Sequence, residues 1–257
     1  MSNTPMEIRP AATLIVARQV EGDAPQFLMA QRATTMQFAA GAMVFPGGAV
    51  DEQDRVHAHS LGIAGEADDI AARIAAIRET IEECGLAVGL QDEVVSPRDL
   101  REMRSAIQSG GSFLDSARTA GVTFNPEKMV AFARWCPPTG RERRRFDTRF
   151  YVTVLEGDGE GLVPDGTETI ALGWYSAQEM LDRADAGLAK IIFPTRRNLE
   201  RLAQFDALAP LMDHARSHQV SMITPWIEER DGVDHLCIPE GLGYPVTSEP
   251  VSAARRG

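Results

Sequence analysis

Apolar residues fall in short runs near the start of the chain and at helical spacing further on. Thr13 to Ala17 is β-branched and apolar, and Phe27 to Gln31 is a second such run. The turn residues Glu21-Gly22-Asp23-Ala24-Pro25 lie between them, so a strand hairpin is predicted. Residues 1–9 read as a loose tail and Arg32 to Gly41 as a loop. Met43 to Val50 reads as a strand broken at Pro46, where Gly47 and Gly48 permit a sharp turn and close approach of backbone to a ligand. Asp51 to Gly65 is polar, carries His57 and His59, and is expected to be a surface loop. Ile70, Ile74, Ile77 and Ile81 then recur at about 100° per residue, which predicts a helix. Asp68 or Asp69 can cap its start, and Gly85 ends it.

Downstream, Pro97 to Gln108 and Ser112 to Ala120 read as two helices split by Gly110-Gly111. Met129 to Cys136 is a candidate strand ended by Pro137-Pro138, and Phe146 to Leu155 alternates as a strand. Glu156 to Gly161 is glycine-rich and acidic, and is expected to be a hairpin turn leading to a strand over Thr169 to Tyr175. Ser176 caps a helix to about Ala186, with Glu179 at the capping-box position. Pro194 begins another to about Phe205, and Ala209 to His218 a third. Short strands are predicted around Met222 to Glu228 and Leu236 to Ile238. Thr247 to Gly257 is expected to be disordered.

On the helix ending at Gly85, Glu79, Glu82 and Glu83 fall on the face opposite the isoleucines. Like charges at that spacing destabilise a helix. A divalent cation between them would remove the conflict. Alone, an E-x-x-E-E pattern is ordinarily a solvated acidic face, the plain reading to set beside metal.

The chain has 257 residues and a formal net charge of −11, which argues against non-specific nucleic-acid binding. No apolar stretch approaches a bilayer span, so no membrane partner is expected. The start has no basic region of the kind that opens a secretory leader. Cys84, Cys136 and Cys237 are odd in number and lack CxxC spacing, which fits a reducing cytoplasm. No linker or repeat divides the chain.

Two pieces together carry a resemblance: Phe45-Pro46-Gly47-Gly48, and Arg78-Glu79-x-x-Glu82-Glu83-x-Gly85-Leu86. They resemble the box of the Nudix hydrolases, G-x5-E-x7-R-E-U-x-E-E-x-G-U with U bulky and aliphatic. Thr80 stands where the box has an aliphatic residue. If Asp54 takes the early acidic place, 23 residues separate it from Arg78 instead of seven; Asp51 and Glu52 are the other candidates for that place. A box with an insertion looks like the branch that includes peroxisomal coenzyme A diphosphatases, and Arg144-Arg145-Phe146-Asp147-Thr148-Arg149-Phe150 and Glu168-x5-Trp174 are similar to it too. The chain's Arg255-Arg256-Gly257 end is not an SKL-type address.

The resemblance implies an α/β fold, a Nudix-type α/β/α sandwich with a mixed central sheet plus helical additions. It places the Nudix domain at 10–205 with the insertion at about 51–67, followed by an extension at 206–246. It implies hydrolysis of a nucleoside diphosphate-linked small molecule with Mg²⁺ or Mn²⁺, held by Glu79, Glu82, Glu83 and the carbonyl of Gly48. Glu168, Glu82 or Glu83 would be the base for the attacking water. Arg78, Gly47 and Gly85 would be structural. Arg32, Arg144, Arg145 and Arg149 are candidates for the phosphates, since the guanidinium fork suits them. The expected substrate is coenzyme A or acyl-coenzyme A, with NADH or ADP-ribose as rivals. A non-catalytic nucleotide-binding module is the rival of another class, and a homodimer is an oligomeric form open to the chain.

Overall fold

The computed structural model describes residues 8–63, 65–91, 95–138, 145–155 and 157–254. In chain order the strands and helices are β1 (Ile8–Arg18), β2 (Gln26–Arg32), β3 (Met43–Val44), β4 (Gly47–Ala49), α1 (Glu52–Leu61), α2 (Ala67–Cys84), α3 (Pro97–Gln108), α4 (Phe113–Thr119), β5 (Val130–Trp135), β6 (Arg145–Val154), β7 (Thr169–Ser176), α5 (Ala177–Asp185), α6 (Phe193–Leu202), α7 (Leu208–Ser217), β8 (Met222–Ile223), β9 (Trp226–Arg230), β10 (Val233–Cys237), β11 (Ser248–Pro250) and α8 (Val251–Ala254).

Eight strands form one mixed sheet in the order β3-β2-β1-β6-β5-β8, with β4 paired to β1 and β7 to β2. The pairs β1–β6 and β5–β8 are parallel and the rest antiparallel. Alternation along β1 shows how the layers arise, because successive side chains of a strand point to opposite faces. Ala12, Leu14 and Val16 pack with Ile70, Ile74, Ile77 and Ile81 of α2. Ile15 and Ala17 pack on the other face with Met180, Leu199 and Leu211 of α5, α6 and α7. The result is an α/β/α sandwich with a mixed central sheet, as expected. Among the described residues no helix is long and apolar enough to cross a membrane.

Several expectations are corrected. The polar stretch Asp51 to Gly65 is not a loop: Glu52–Leu61 is helix α1. Its inward residues are Asp54, His57 and Ala58, so an amphipathic pattern exists but is written in polar letters. His57 is accordingly buried against Phe113, with ring centroids 5.4 Å apart. Helix α2 is flanked by Glu66, not Asp68 or Asp69, which lie inside its first turn. Ile8 and Arg9 are not tail, since they pair with Arg145 and Phe146. The segment after β6 is not a hairpin turn. β7 pairs with β2 rather than β6, so the chain crosses the sheet there. Glu156 lies outside the described residues. Ser248 to Ala254 is not disordered: β11 pairs with β10, and Glu249 meets the buried Arg197 of α6 at 3.2 Å. Residues 255–257 lie outside the described part.

Candidate active site

The site is assembled where β4 passes the carboxyl half of α2. β4 pairs antiparallel with β1, setting Gly47 opposite Thr13 and Gly48 opposite Ala12. Backbone excludes a side chain at Gly47, and the Glu79 carboxylate occupies the space a side chain would take at Gly48. A Cβ on Gly47 would lie 2.3 Å from the Ala12 carbonyl oxygen, and one on Gly48 2.3 Å from Glu79 Oε1. β4 is therefore pressed directly onto the acidic face of the helix. The Gly47 N–H donates to Glu83 Oε2 at 3.1 Å.

Helix α2 is anchored by its isoleucine stripe and stopped by Gly85, whose φ of 65° is left-handed and whose N–H donates to the Ile81 carbonyl. Thr80, which departs from the aliphatic pattern, is fully buried and donates its hydroxyl to the Ala76 carbonyl at 2.7 Å. That bond satisfies a polar atom within the core layer.

Arg78 is the hub. Its Nε donates to Asp54 Oδ1 and its Nη2 to Asp54 Oδ2, both at 3.0 Å. Nη2 also donates to the Ala49 carbonyl at 3.0 Å. Nη1 donates to Glu79 at 2.9 Å and Glu82 at 3.1 Å. One guanidinium thus ties α1, β4 and two acids of α2 together. Of the three candidates for the early acidic place, Asp54 is the one that enters: it is 1% exposed, whereas Asp51 lies 3.7 Å from Arg78 with its side chain 66% exposed, and Glu52 pairs with Arg55 on the surface.

The acids sit in a strained electrostatic setting. Burial pushes the Glu79 carboxyl up to about 7 against the pull of Arg78, and Glu82 adds to the rise. Burial, then the charge of Glu79, pushes Glu83 up to about 8. Glu82 is raised by burial. Burial alone would lower the Arg78 guanidinium, but Asp54, Glu79 and Glu82 outweigh it and hold the group charged. Among the described residues no three acidic, histidine or cysteine side chains already converge at one metal point. Glu79 and Glu82 are turned to Arg78, and Glu83 to Gly47. The donor set still fits a hard divalent cation, because it is all oxygen and its buried acids repel one another. Gly48 leaves open against Glu79 the space that any side chain would fill.

Arg32, at the end of β2, has Nη1 4.0 Å from Glu83 Oε1 and donates Nε to the Phe38 carbonyl. Glu168 is exposed in the loop before β7; its carbonyl accepts from Ala33 N–H at 2.7 Å, next to Arg32. These two candidates are therefore brought to the same end of the sheet as the box acids. Arg145 and Arg149 are turned to other partners. Arg145 is buried and donates to the Pro137 carbonyl. Arg149 donates to the Asp68 carbonyl in the first turn of α2, about 16 Å along the axis from Glu79. Arg144 lies outside the described residues.

Two residues escaped the sequence reading. Asp165 accepts the N–H groups of Thr167, Glu168 and Thr169, and so shapes the loop that carries Glu168. These bonds and the Thr167 hydroxyl hold its carboxyl below the usual range, against burial. Arg104, on α3, donates to the last carbonyls of α2. An Asp-x-Thr-x-Thr spacing is a turn signal that could have marked Asp165; Arg104 has no such local mark.

The model of the NUDT19 Nudix domain matches residues 60–202. The chain is 30% identical over 199 residues to the putative nudix hydrolase 7 of Caenorhabditis elegans, covering 76% of this chain and 61% of that protein. It is 27% identical over 179 residues to the acyl-coenzyme A diphosphatase NUDT19 of Gallus gallus, covering 62% of this chain and 47% of that one. It thus spans less than two thirds of the length of these two relatives. The crystal structure of a NUDIX hydrolase from Alicyclobacillus acidocaldarius is similar at 30% identity with a TM-score of 0.71, over 82% of this chain and 97% of that chain.

Proposed function

Because this chain belongs to the NUDT19 Nudix domain family, we propose that it is a metal-dependent diphosphatase acting on coenzyme A or acyl-coenzyme A. The products would be adenosine 3′,5′-bisphosphate and a 4′-phosphopantetheine. The observation that carries this reading is the buried acidic face of α2, with Glu79, Glu82 and Glu83 arranged around Arg78 and pressed against a glycine strand. A merely solvated acidic face would need neither the buried Asp54–Arg78 pair nor glycine at 48. The coenzyme A class is supported by the acyl-coenzyme A diphosphatase among the relatives.

Glu79, Glu82, Glu83 and the Gly48 carbonyl would hold Mg²⁺ or Mn²⁺, which when bound screens the diphosphate and stabilises the leaving phosphate. The chain's own residues do the rest. Gly47 N–H fixes the orientation of Glu83. Arg32 has a guanidinium beside Glu83 and can pair with phosphate oxygens on the same side. A water oxygen bonds to phosphorus as the bridging P–O bond breaks, and the water's proton passes to a carboxylate. Glu168, in a loop fixed by Asp165 and Ala33, is one candidate for that base, with Glu82 and Glu83 the others.

The test is product analysis with coenzyme A, NADH and ADP-ribose under Mg²⁺ or Mn²⁺. Release of adenosine 3′,5′-bisphosphate supports the reading, and turnover of ADP-ribose alone would end it. Tight nucleotide binding by calorimetry with no turnover under either metal would instead indicate a binding module.

A further inference from the structure

We propose that Arg104 is a positioning residue for the box carboxylates, acting from helix α3 through the carbonyl end of α2. The inference rests on the reading of Glu82 and Glu83 as metal-binding acids.

The last four carbonyls of an α-helix have no partner within the helix and must be answered from outside. In α2 the Ile81 carbonyl accepts from the Gly85 N–H of the cap. The Cys84 carbonyl accepts from Val163 N–H at 3.0 Å. The two between them belong to Glu82 and Glu83, and both are answered by α3. Arg104 Nε donates to the Glu82 carbonyl at 2.9 Å, and Arg104 Nη2 to the Glu83 carbonyl at 3.4 Å. Gln108 Nε2 adds a second donor to Glu82 at 3.2 Å. The backbone beneath the two acids is therefore held by one rigid fork, whose positive charge also suits the negative end of the helix dipole.

Helix α3 can bear this load because its neighbouring side chains are sunk in the core. Met103 and Ile107 are buried with Ile77 and Ile81 of α2. Gly85 leaves room for the guanidinium: a Cβ there would lie 3.1 Å from Arg104 Nη1. Asp165, which shapes the Glu168 loop, is the acid whose charge acts on both Arg104 and Glu83. One guanidinium of α3 thus reaches the box turn directly.

The test uses the full chain and Mn²⁺ as probe, with Arg104→Met, Arg104→Lys and, as control on the same helix, the exposed Arg101→Met. Mn²⁺ affinity is read by titration calorimetry, and coenzyme A turnover at saturating Mn²⁺ separately. Residues that orient metal ligands are worth roughly 10- to 100-fold in affinity or activity. Arg104→Met is expected to weaken Mn²⁺ binding and lower kcat by about that factor, with little change in the KM for substrate. Arg104→Lys is expected to recover most of the loss, and Arg101→Met to behave as wild type. Mn²⁺ binding by folded Arg104→Met at wild-type affinity would overturn the proposal. So would equal losses in Arg104→Met and Arg104→Lys that track melting temperature. If Arg104→Met does not fold, Gln108→Leu decides: weaker Mn²⁺ binding at unchanged melting temperature supports the proposal, and wild-type binding overturns it. Wild-type chain that binds Mn²⁺ but leaves coenzyme A intact would refute the substrate reading alone; wild-type chain that binds no Mn²⁺ would overturn the positioning role.

Discussion

Asp54→Asn tests why the box tolerates 23 residues between its early acid and Arg78. Asp54 is 1% exposed and receives two hydrogen bonds from Arg78 at 3.0 Å, plus one from the Asp51 N–H at 2.8 Å. Removing one partner of a buried ion pair costs about 3–5 kcal/mol, because the other charge is left without compensation. Here Arg78 keeps Glu79 and Glu82, and asparagine keeps one acceptor, so the lower end applies, about 3 kcal/mol. Asp51→Asn removes an exposed charge 3.7 Å from the same guanidinium, and is expected to cost less than about 1 kcal/mol. Urea unfolding in chelator reads both values, provided the slope of free energy against urea is unchanged. If the two variants fall within about 0.5 kcal/mol of each other, within the ordinary range of surface substitutions, Asp54 is not the partner that holds Arg78. If Asp54→Asn abolishes Mn²⁺ binding without loss of stability, the residue is a ligand rather than a brace.

Four other substitutions bear on the site and its surroundings. Gly48→Ala drives a methyl group to 2.3 Å from Glu79 Oε1; the fold should persist because the carboxylate can swing away, while turnover falls roughly 10- to 100-fold, as circular dichroism and steady-state kinetics would show. Glu82→Gln and Glu83→Gln should each cut turnover by orders of magnitude and leave metal-free stability unchanged or slightly raised, since each removes a like charge from a crowded face; unchanged turnover in both would remove the catalytic assignment. His214 accepts from Arg201 Nε at 2.9 Å, and burial, the Arg201 charge and His218 depress it to about 4. The folded state therefore binds fewer protons there than the unfolded chain. Its contribution to stability is complete above the ordinary value of 6.5 and drains away as pH falls towards 4. His214→Gln should flatten the melting temperature between those limits.

Legibility followed the range of the interactions. The isoleucine stripe of α2, its Gly85 stop and the three glutamates on the face opposite the stripe are set within one helix, and all stand where their spacing puts them. Helix α1 went unread because its buried positions are Asp54 and His57, whose partners are Arg78 and Phe113, far along the chain. The same cause hid Ser248 to Ala254, where a polar stretch is ordered by Arg197 and by pairing with β10. The crossing from β6 to β7 reads as a hairpin in the sequence because glycine marks a turn but not the strand that receives it. The guanidinium fork suits Arg145 and Arg149 to phosphate, and in the fold Arg145 donates to the Pro137 carbonyl and Arg149 Nη1 to the Asp68 carbonyl, partners that charge alone does not mark.

The interval inside the box can be weighed in energy. Closing a flexible loop of 23 residues instead of seven costs about 1 kcal/mol more in chain entropy, because the penalty grows only with the logarithm of length. A buried carboxylate that neutralises Arg78 is worth about three times that. The pairing therefore survives the insertion, and the inserted residues shorten the effective loop further by folding into α1. What the box demands is thus an acid delivered to the inner face of Arg78, and sequence spacing is only one means of delivery. It follows that lengthening the chain between Leu61 and Ala67, outside α1, should leave metal binding nearly intact, while moving Asp54 by a single position along α1 should not. The shift turns the carboxylate by about 100° around the helix, away from the guanidinium.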